Sequence, residues 1–398
     1  MKLIESDDFY YDFHENGIIP PYISNLFLKH SGVLFYENKK GGKNIGNLPL
    51  VYYLGVVPSY IDISLFNKDN YNLKKINERE NVGNAISINS YNNINEYLKS
   101  HFKAKYRSNI NRYVKRLESS FNITHKMYFG EIKKEKFYFL MNTLKSMLEV
   151  RFSQLKKTNF TLLTWKDNYE SYFQLIKTKK ASLSVIYDNE IPIDISFSFH
   201  FNNILFSSTS CFDVDYLKFG LGNISIYKEL EWCIKNNYDV YDMTFGMLEY
   251  KRKWCDLNYV FESHIYAKKG NINSYLISKF LSAIIGFKNL LKLIKAHILL
   301  EIFQAIYLKF KYKGELSINN KSIKYKIENI DTTNNIEKLK EINYQKASFK
   351  QLKKPLYDFL YTANENISNI KVYKSENSNQ TYFFYGNKKI AKLVIDIS

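Results

Sequence analysis

Cysteine is scarce: Cys211, Cys233 and Cys255 are the only three in 398 residues, an odd number without metal-type spacing. They exclude a disulfide framework and read as reduced core thiols, so a cytoplasmic protein is expected. Long apolar runs are absent too. The nearest, "YLISKFLSAIIGFKNLLKLIKAHILLEIFQAIYLKF" at 275–310, is broken by lysines at 279, 288, 292 and 295, and a span needs about 18 to 20 uninterrupted residues. The opening "MKLIESDDFYYDFHENG" is acidic and has no apolar h-region, so no secretory signal is expected. The seven histidines, His200 among them, show no ligand spacing, and no metal is expected. No repeat of short fixed period appears.

Acidic side chains fall short of basic ones, 39 against 57, giving a formal charge of +18. That balance favours an anionic partner: a phosphate-bearing cofactor, nucleic acid or a membrane surface. It is equally met by lysines scattered over solvated faces. What is plentiful is apolar and aromatic matter, 45% and 17% of the chain, which excludes fibrous and disordered classes. The length suits two to three domains of about 150 residues each.

Along the chain, "GVLFYEN" and "LPLVYYLGVV" read as two strands around the turn-rich "NKKGGKNIGN", a hairpin tip rather than a phosphate loop. The basic stretch "YLKSHFKAKYRSNINRYVKRLESS" is helical, with Arg107, Arg112, Lys115 and Arg116 opposite Ile110, Tyr113 and Leu117. An amphipathic helix follows, carrying Phe137, Leu140, Met141, Leu144, Leu148 and Arg151 on one side; a second stacks Tyr169, Tyr172, Phe173 and Ile176. The period then changes to two. "ASLSVIYDNEIPIDISFSFHFNNILFSSTSCF" reads as three antiparallel strands turning at Asp188-Asn189-Glu190 and Asn202-Asn203. Next come the loop "DVDYLKFGLGN", the helix "NISIYKELEWCIKNN", the strand "YDVYDMTF" and a last strand "NYVFESHIYAK". Near the end, "TYFFYGNKKIAKLVIDI" is a hairpin turning at Gly386-Asn387.

A helix that starts just after a glycine-bearing loop off a strand is a natural anion site, because its first N–H groups lack intrahelical partners. "LKFGLGN" places Gly220 and Gly222 there, beside Lys218.

Two motifs give the chain a family resemblance over about residues 30 to 270. "YLKSHFKAKYRSNINRYVKRLE" and "GLGNISIYKELEWCIKNNYDVYDMTFGMLEYKRKW" resemble segments of the GNAT acyltransferase superfamily. More narrowly they are similar to its two-lobed branch of FemAB peptidoglycan aminoacyltransferases and CelD-like acetyltransferases of polysaccharide loci. The proline that often precedes the loop glycine is absent, and Asn237-Tyr238 stand where the family often has glycine. Both departures leave the donor open.

The resemblance implies an α+β (mixed α/β) fold of two GNAT-like lobes, each a mostly antiparallel sheet flanked by helices. The expected divisions are an N-terminal lobe at 1–125, an acyltransferase lobe at 126–270, a basic amphipathic helical segment at 271–312 and a small α+β tail at 313–398. Acetyl-CoA or another acyl-CoA is the implied co-substrate, its pyrophosphate held around Lys218, Gly220, Leu221, Gly222 and Asn223. The acceptor would be an amine or hydroxyl of a sugar or cell-envelope precursor.

Asp242 is expected on a buried strand, as a structural ion-pair partner of Lys251 or Arg252, or as a general base. Tyr250 reads as packing or as proton donor to the leaving thiolate, and Lys251 as the partner of Asp242 or of an oxyanion. Trp254 is a core anchor. Arg107 and Arg112 are either a solvated face or substrate-binding; Arg151 is a helix-dipole partner or a site residue. Two other readings stand beside the acyl-CoA enzyme: an aminoacyl-tRNA-dependent transferase, and a non-catalytic module on RNA or membrane. Segment 275–310 could touch a membrane, with the protein at its inner face, or simply pack on the core.

Overall fold

The computed structural model describes residues 2–39, 48–155, 162, 165, 168–246, 249–294, 324–330 and 338–396. In chain order the strands are β1 (Ile4–Asp8), β2 (Ile23–Leu28), β3 (Leu34–Glu37), β4 (Val51–Pro58), β5 (Ile61–Leu65), β6 (Tyr71–Ser87), β7 (Ile123–Tyr128), β8 (Ala181–Asp188), β9 (Ile191–Phe201), β10 (Ile204–Phe212), β11 (Val240–Phe245), β12 (Leu257–Lys268), β13 (Lys324–Ile330), β14 (Leu339–Glu341), β15 (Lys371–Ser375), β16 (Thr381–Tyr385) and β17 (Ile390–Asp396). The helices are α1 (Phe9–Asn16), α2 (Ile94–His101), α3 (Ala104–Ser120), α4 (Lys134–Gln154), α5 (Tyr169–Lys177), α6 (Leu221–Lys235), α7 (Glu249–Trp254), α8 (Ile272–Leu293) and α9 (Lys353–Ala363). The class is mixed α+β, as expected.

Contacts divide the chain into two compact units, neither of them one continuous block. The first takes residues 1–93, 198–208 and 233–316, the second 94–197, 209–232 and 317–398.

In the first unit the strand order runs β1-β4-β12-β6-β11-β10. β1 lies parallel to β4, and β10 parallel to β11 through Ile204–Val240 and Phe206–Asp242; the other neighbours are antiparallel. A smaller sheet has the order β3-β2-β5. The expected hairpin between β3 and β4 is therefore not formed: β3 pairs with β2, while β4 pairs with β1 and β12. The reason is burial. "VYYLGVVP" is apolar on both faces, and such a strand belongs inside a covered sheet rather than on a two-stranded ribbon. The turn assigned to that hairpin falls largely at 40–47, outside the described residues.

In the second unit the apolar stripe of α4 is buried as its spacing requires, with Phe137, Leu140, Met141, Leu144 and Leu148 inside. The strands β8, β9 and β10 meet the expected boundaries, and their turns place Asn189 (φ 52°) and Asn202 (φ 48°) in the left-handed region that asparagine tolerates. The C-terminal residues form a five-stranded antiparallel sheet, β13-β17-β16-β15-β14. Its β16–β17 hairpin turns at Gly386, where the N–H groups of Asn387, Lys388 and Lys389 donate to the Glu365 carboxylate at 2.6, 2.9 and 3.1 Å. Helix α9 and its N-cap set Leu352, Leu356 and Leu360 into one core with Leu117, Phe121, Phe219 and Leu221. The tail is thus built into the same core as the glycine loop.

Candidate active site

Strand β11 carries Asp242 with no exposed surface. A buried carboxylate costs several kcal/mol unless donors surround it, and four contacts do so here. The Tyr60 hydroxyl donates to Oδ2 at 2.8 Å, the Tyr259 hydroxyl reaches both oxygens at 2.8 Å, and the Thr244 N–H donates to Oδ1 at 2.7 Å. That last bond needs the chain to turn sharply: Thr244 has φ 59° and Gly246 φ 121°. Burial pushes the Asp242 carboxyl up to about 6, against the pull of Tyr60, the Thr244 N–H, Tyr259 and the Lys251 charge.

Lys251, one of two basic residues read as an ion-pair partner of Asp242, makes no direct bond to it: its ammonium donates to the carbonyls of Met243 and Phe245, at 2.6 and 3.0 Å. Its charge still reaches the carboxylate through space, while burial holds it below the usual lysine range. Residues 249–254 form α7, which carries Tyr250 outward, 44% exposed, and Trp254 fully inward. Trp254 is the core anchor expected. All three cysteines are buried and free.

In the second unit β10 leads through a short 3-10 turn (Val214–Phe219) to Gly220 and α6. Asp213 caps that turn by accepting from the Asp215 N–H, and Gly220 closes it with φ 71°. The glycine is required twice. Besides the backbone angle, a Cβ there would lie 2.9 Å from the Tyr113 ring. Gly222 differs: its backbone needs no left-handed angle, and a Cβ would meet only Phe212, at an ordinary 3.6 Å.

The first hydrogen bonds into α6 run from Asn223 and Ile224 back to the Gly220 carbonyl, so the N–H groups of Leu221 and Gly222 precede the intrahelical ladder. Leu221 is buried, and the Asn223 side chain accepts from the Tyr106 hydroxyl at 3.3 Å. Lys218 is turned to α9, donating to the Asp358 carbonyl and Thr362 Oγ1 at 3.4 and 3.2 Å. From the first position of α9, Lys353 pairs with Asp213 at 2.7 Å and Asp215 at 3.5 Å.

Arg107 and Arg112 share a cleft of about 560 Å³ on α3 with Lys115, Arg116 and the tail residue Asn364. Arg107 also caps α2 from outside, donating to the carbonyls of Phe102 and Lys99 at 3.0 and 3.4 Å. Arg112 bonds Asn109 at 3.0 Å, and Arg116 donates to the Tyr361 carbonyl while lying over that ring. Among the described residues none of the four cations is paired with a carboxylate. Arg151 occupies the last turn of α4, where a positive charge suits the helix dipole. His200 is a core residue, its Nδ1 2.6 Å from the Tyr238 hydroxyl.

Sequence reasoning missed Tyr60, Tyr259, Lys115, Arg116 and Asn364 as site residues. The tyrosines sit 182 and 17 positions from Asp242 among 34 tyrosines, and nothing local marks them. Lys115 and Arg116 had a signal, since they continue the Arg107–Arg112 stripe.

Residues 104–252 match the family described as Acetyltransferase (GNAT) domain. Comparison with curated proteins gave no match. Similar solved structures include FemX, at 10% identity, covering 58% of this chain and 74% of that one with a TM-score of 0.39. A conserved protein of unknown function from Bacteroides thetaiotaomicron aligns at 9% identity over 55% of this chain and 70% of its own, TM-score 0.39. A GCN5-related glucosamine N-acetyltransferase region of a fungal multi-domain β-N-acetylglucosaminidase aligns at 13% identity over 59% and 29%, TM-score 0.27. Alignments this loose add no argument about chemistry.

Proposed function

We propose that this chain, a GNAT-superfamily protein whose acetyltransferase domain lies at residues 104–252, moves an acyl group, acetyl first among the candidates, from a coenzyme A thioester to an amine or hydroxyl. The acceptor in this reading is a sugar or cell-envelope precursor, and the setting is cytoplasmic. Among the described residues no helix is long and apolar enough to cross a membrane.

Gly222 carries the reading. Neither backbone angle nor packing demands glycine there, at the start of a helix of 15 residues. What a missing side chain does permit is close approach of an anion to the first N–H groups, where the helix dipole adds about half a positive charge. We assign the donor's pyrophosphate to Leu221, Gly222 and Asn223. Gly220 shapes the turn, and Lys218 ties it to α9 rather than meeting phosphate.

In the transfer the acceptor's lone pair attacks the thioester carbonyl, and the tetrahedral oxyanion collapses with loss of thiolate. The acceptor's proton ends on the sulfur. Tyr250, exposed on α7, is assigned the relay: its hydroxyl gives a proton to the thiolate and regains one from the acceptor. Lys251 is the cation for the oxyanion, with one N–H left after its two carbonyl contacts among the described residues. Asp242 is fully buried and already surrounded by donors, so it serves as a positioning residue rather than a general base. It fixes the strand end that holds Lys251.

The α3 cleft favours a second reading, in which the donor is aminoacyl-tRNA. Four cations with no carboxylate partner among the described residues suit a phosphate backbone, and such binding falls steeply with salt. Titration calorimetry with acetyl-CoA at low and physiological salt separates the two. Saturable binding at both, abolished by Gly222→Glu, supports the acyl-CoA enzyme. No heat at either salt contradicts it.

A further inference from the structure

Helix α8 follows the last strand of the first unit and is fixed there along its inner face. Asn271 caps it by accepting from the Ser274 N–H. Ile285 is buried with Leu50, Val51 and Ile265, and Ile277 and Leu281 pack against the same group. Polar ties lock its rotation. Asn289 accepts from the Arg79 N–H at 2.8 Å and donates to the Asn77 carbonyl at 2.8 Å, while Lys292 donates to the Arg79 carbonyl and Asn81 at 3.0 and 3.1 Å.

The opposite face is apolar and bare. Ile272, Leu276, Phe280, Phe287, Leu290 and Ile294 are 69, 56, 66, 61, 51 and 64% exposed. Their spacing of three, four and seven residues puts them in one stripe along a helix of 22 residues, about 33 Å long. Single exposed apolar residues are ordinary, but a continuous stripe marks a surface that meets something.

Charge says what. Between Glu262 and Glu301 there is no acidic residue, and Lys268, Lys269, Lys279, Lys288, Lys292 and Lys295 all fall inside. Lys279 lies on the stripe itself, over the Tyr275 ring at 5.3 Å, and Lys288 is exposed. A second copy of this face would bring lysine against lysine. A bilayer with anionic headgroups accepts both features together, taking the apolar side chains about 5 to 10 Å deep and the ammonium groups at the phosphate level.

We propose that the outer face of α8 seats the protein on an anionic lipid bilayer, the helix lying in the plane of the surface. The inference is independent of the acyl-transfer reading.

The test is co-sedimentation of the full chain with vesicles of phosphatidylcholine alone and with phosphatidylglycerol added. The expected result is binding to the mixed vesicles that weakens with salt and is lost, by at least about tenfold, in Phe280→Glu/Phe287→Glu. Both positions are exposed, so that variant should keep the wild-type circular dichroism. Lys279→Gln and Lys288→Gln should each weaken binding by about fivefold. Three results overturn the proposal: no binding to mixed vesicles, equal binding by the double phenylalanine variant, or equal binding to phosphatidylcholine alone. A lipid-free dimer by light scattering that the same variant dissolves also overturns it, because a second copy would then own the face.

Discussion

The ring of Tyr259 lies across Gly83, its partner in the β6–β12 register, in the space that a side chain at position 83 would fill. A Cβ there would stand 2.1 Å from the ring carbon Cζ. The glycine is what allows the tyrosine hydroxyl to reach Asp242, and the two positions are one device.

Gly83→Ala should therefore drive the ring aside and leave the buried carboxylate short of a donor. The expected cost is about 2 to 4 kcal/mol of stability, measured by urea unfolding. Gly286→Ala is the control. It lies in α8 with nothing within 4 Å of a new Cβ, and should gain up to about 1 kcal/mol from helix propensity.

Asp242 should leave a mark on stability against pH. Its folded pKa, about 6, stands above the ordinary aspartate value of about 3.9, so the folded state holds the proton more tightly. The contribution is greatest below about pH 4 and is lost as pH rises through 6, a change on the order of 3 kcal/mol. Asp242→Asn should abolish that fall, so the wild-type-minus-variant difference in unfolding free energy drifts across pH 4 to 6. A flat difference would show that the carboxylate titrates normally.

The two loop glycines should separate. Gly220→Ala meets both a φ of 71° and the Tyr113 ring and should destabilise by about 2 kcal/mol or more. Gly222→Ala should unfold within about 1 kcal/mol of wild type, yet bind acetyl-CoA several-fold more weakly. Equal losses of stability would remove the distinction on which the donor site rests.

Truncating the tail core should reach the loop. Leu360 is fully buried in the cluster that includes Phe219 and Leu221. Leu360→Ala should cost about 2 to 5 kcal/mol, and hydrogen exchange should quicken at 217–224 as well as in α9.

On α3, Arg112→Ala and Lys115→Ala should raise KM for an anionic substrate with little change in melting temperature. Arg107→Ala should do the same and also lose about 1 kcal/mol, because its guanidinium caps the carbonyls of Phe102 and Lys99. Unchanged KM in all three leaves the stripe a solvated face.

Legibility followed the range of the interactions. The meander turns at Asn189 and Asn202 and the α4 stripe are set by residues within a few positions, and the sequence displays them. Burial of Asp242 was readable from its apolar neighbours. Its partners were not, since Tyr60 and Tyr259 come from strands paired over long separations. β6 went unread for a similar reason: "NLKKINEREN" has the composition of a loop, and only its ladder with β12 holds it extended. The packing of α9 on the glycine loop joins positions some 140 apart, beyond any local pattern.

The most direct measurement is hydrogen exchange of backbone amides with and without saturating acetyl-CoA. The account expects slowed exchange at Leu221, Gly222 and Asn223, with no such protection in Gly222→Glu. Binding without protection there, or protection confined to the α3 cleft, would contradict the placement of the donor on this turn.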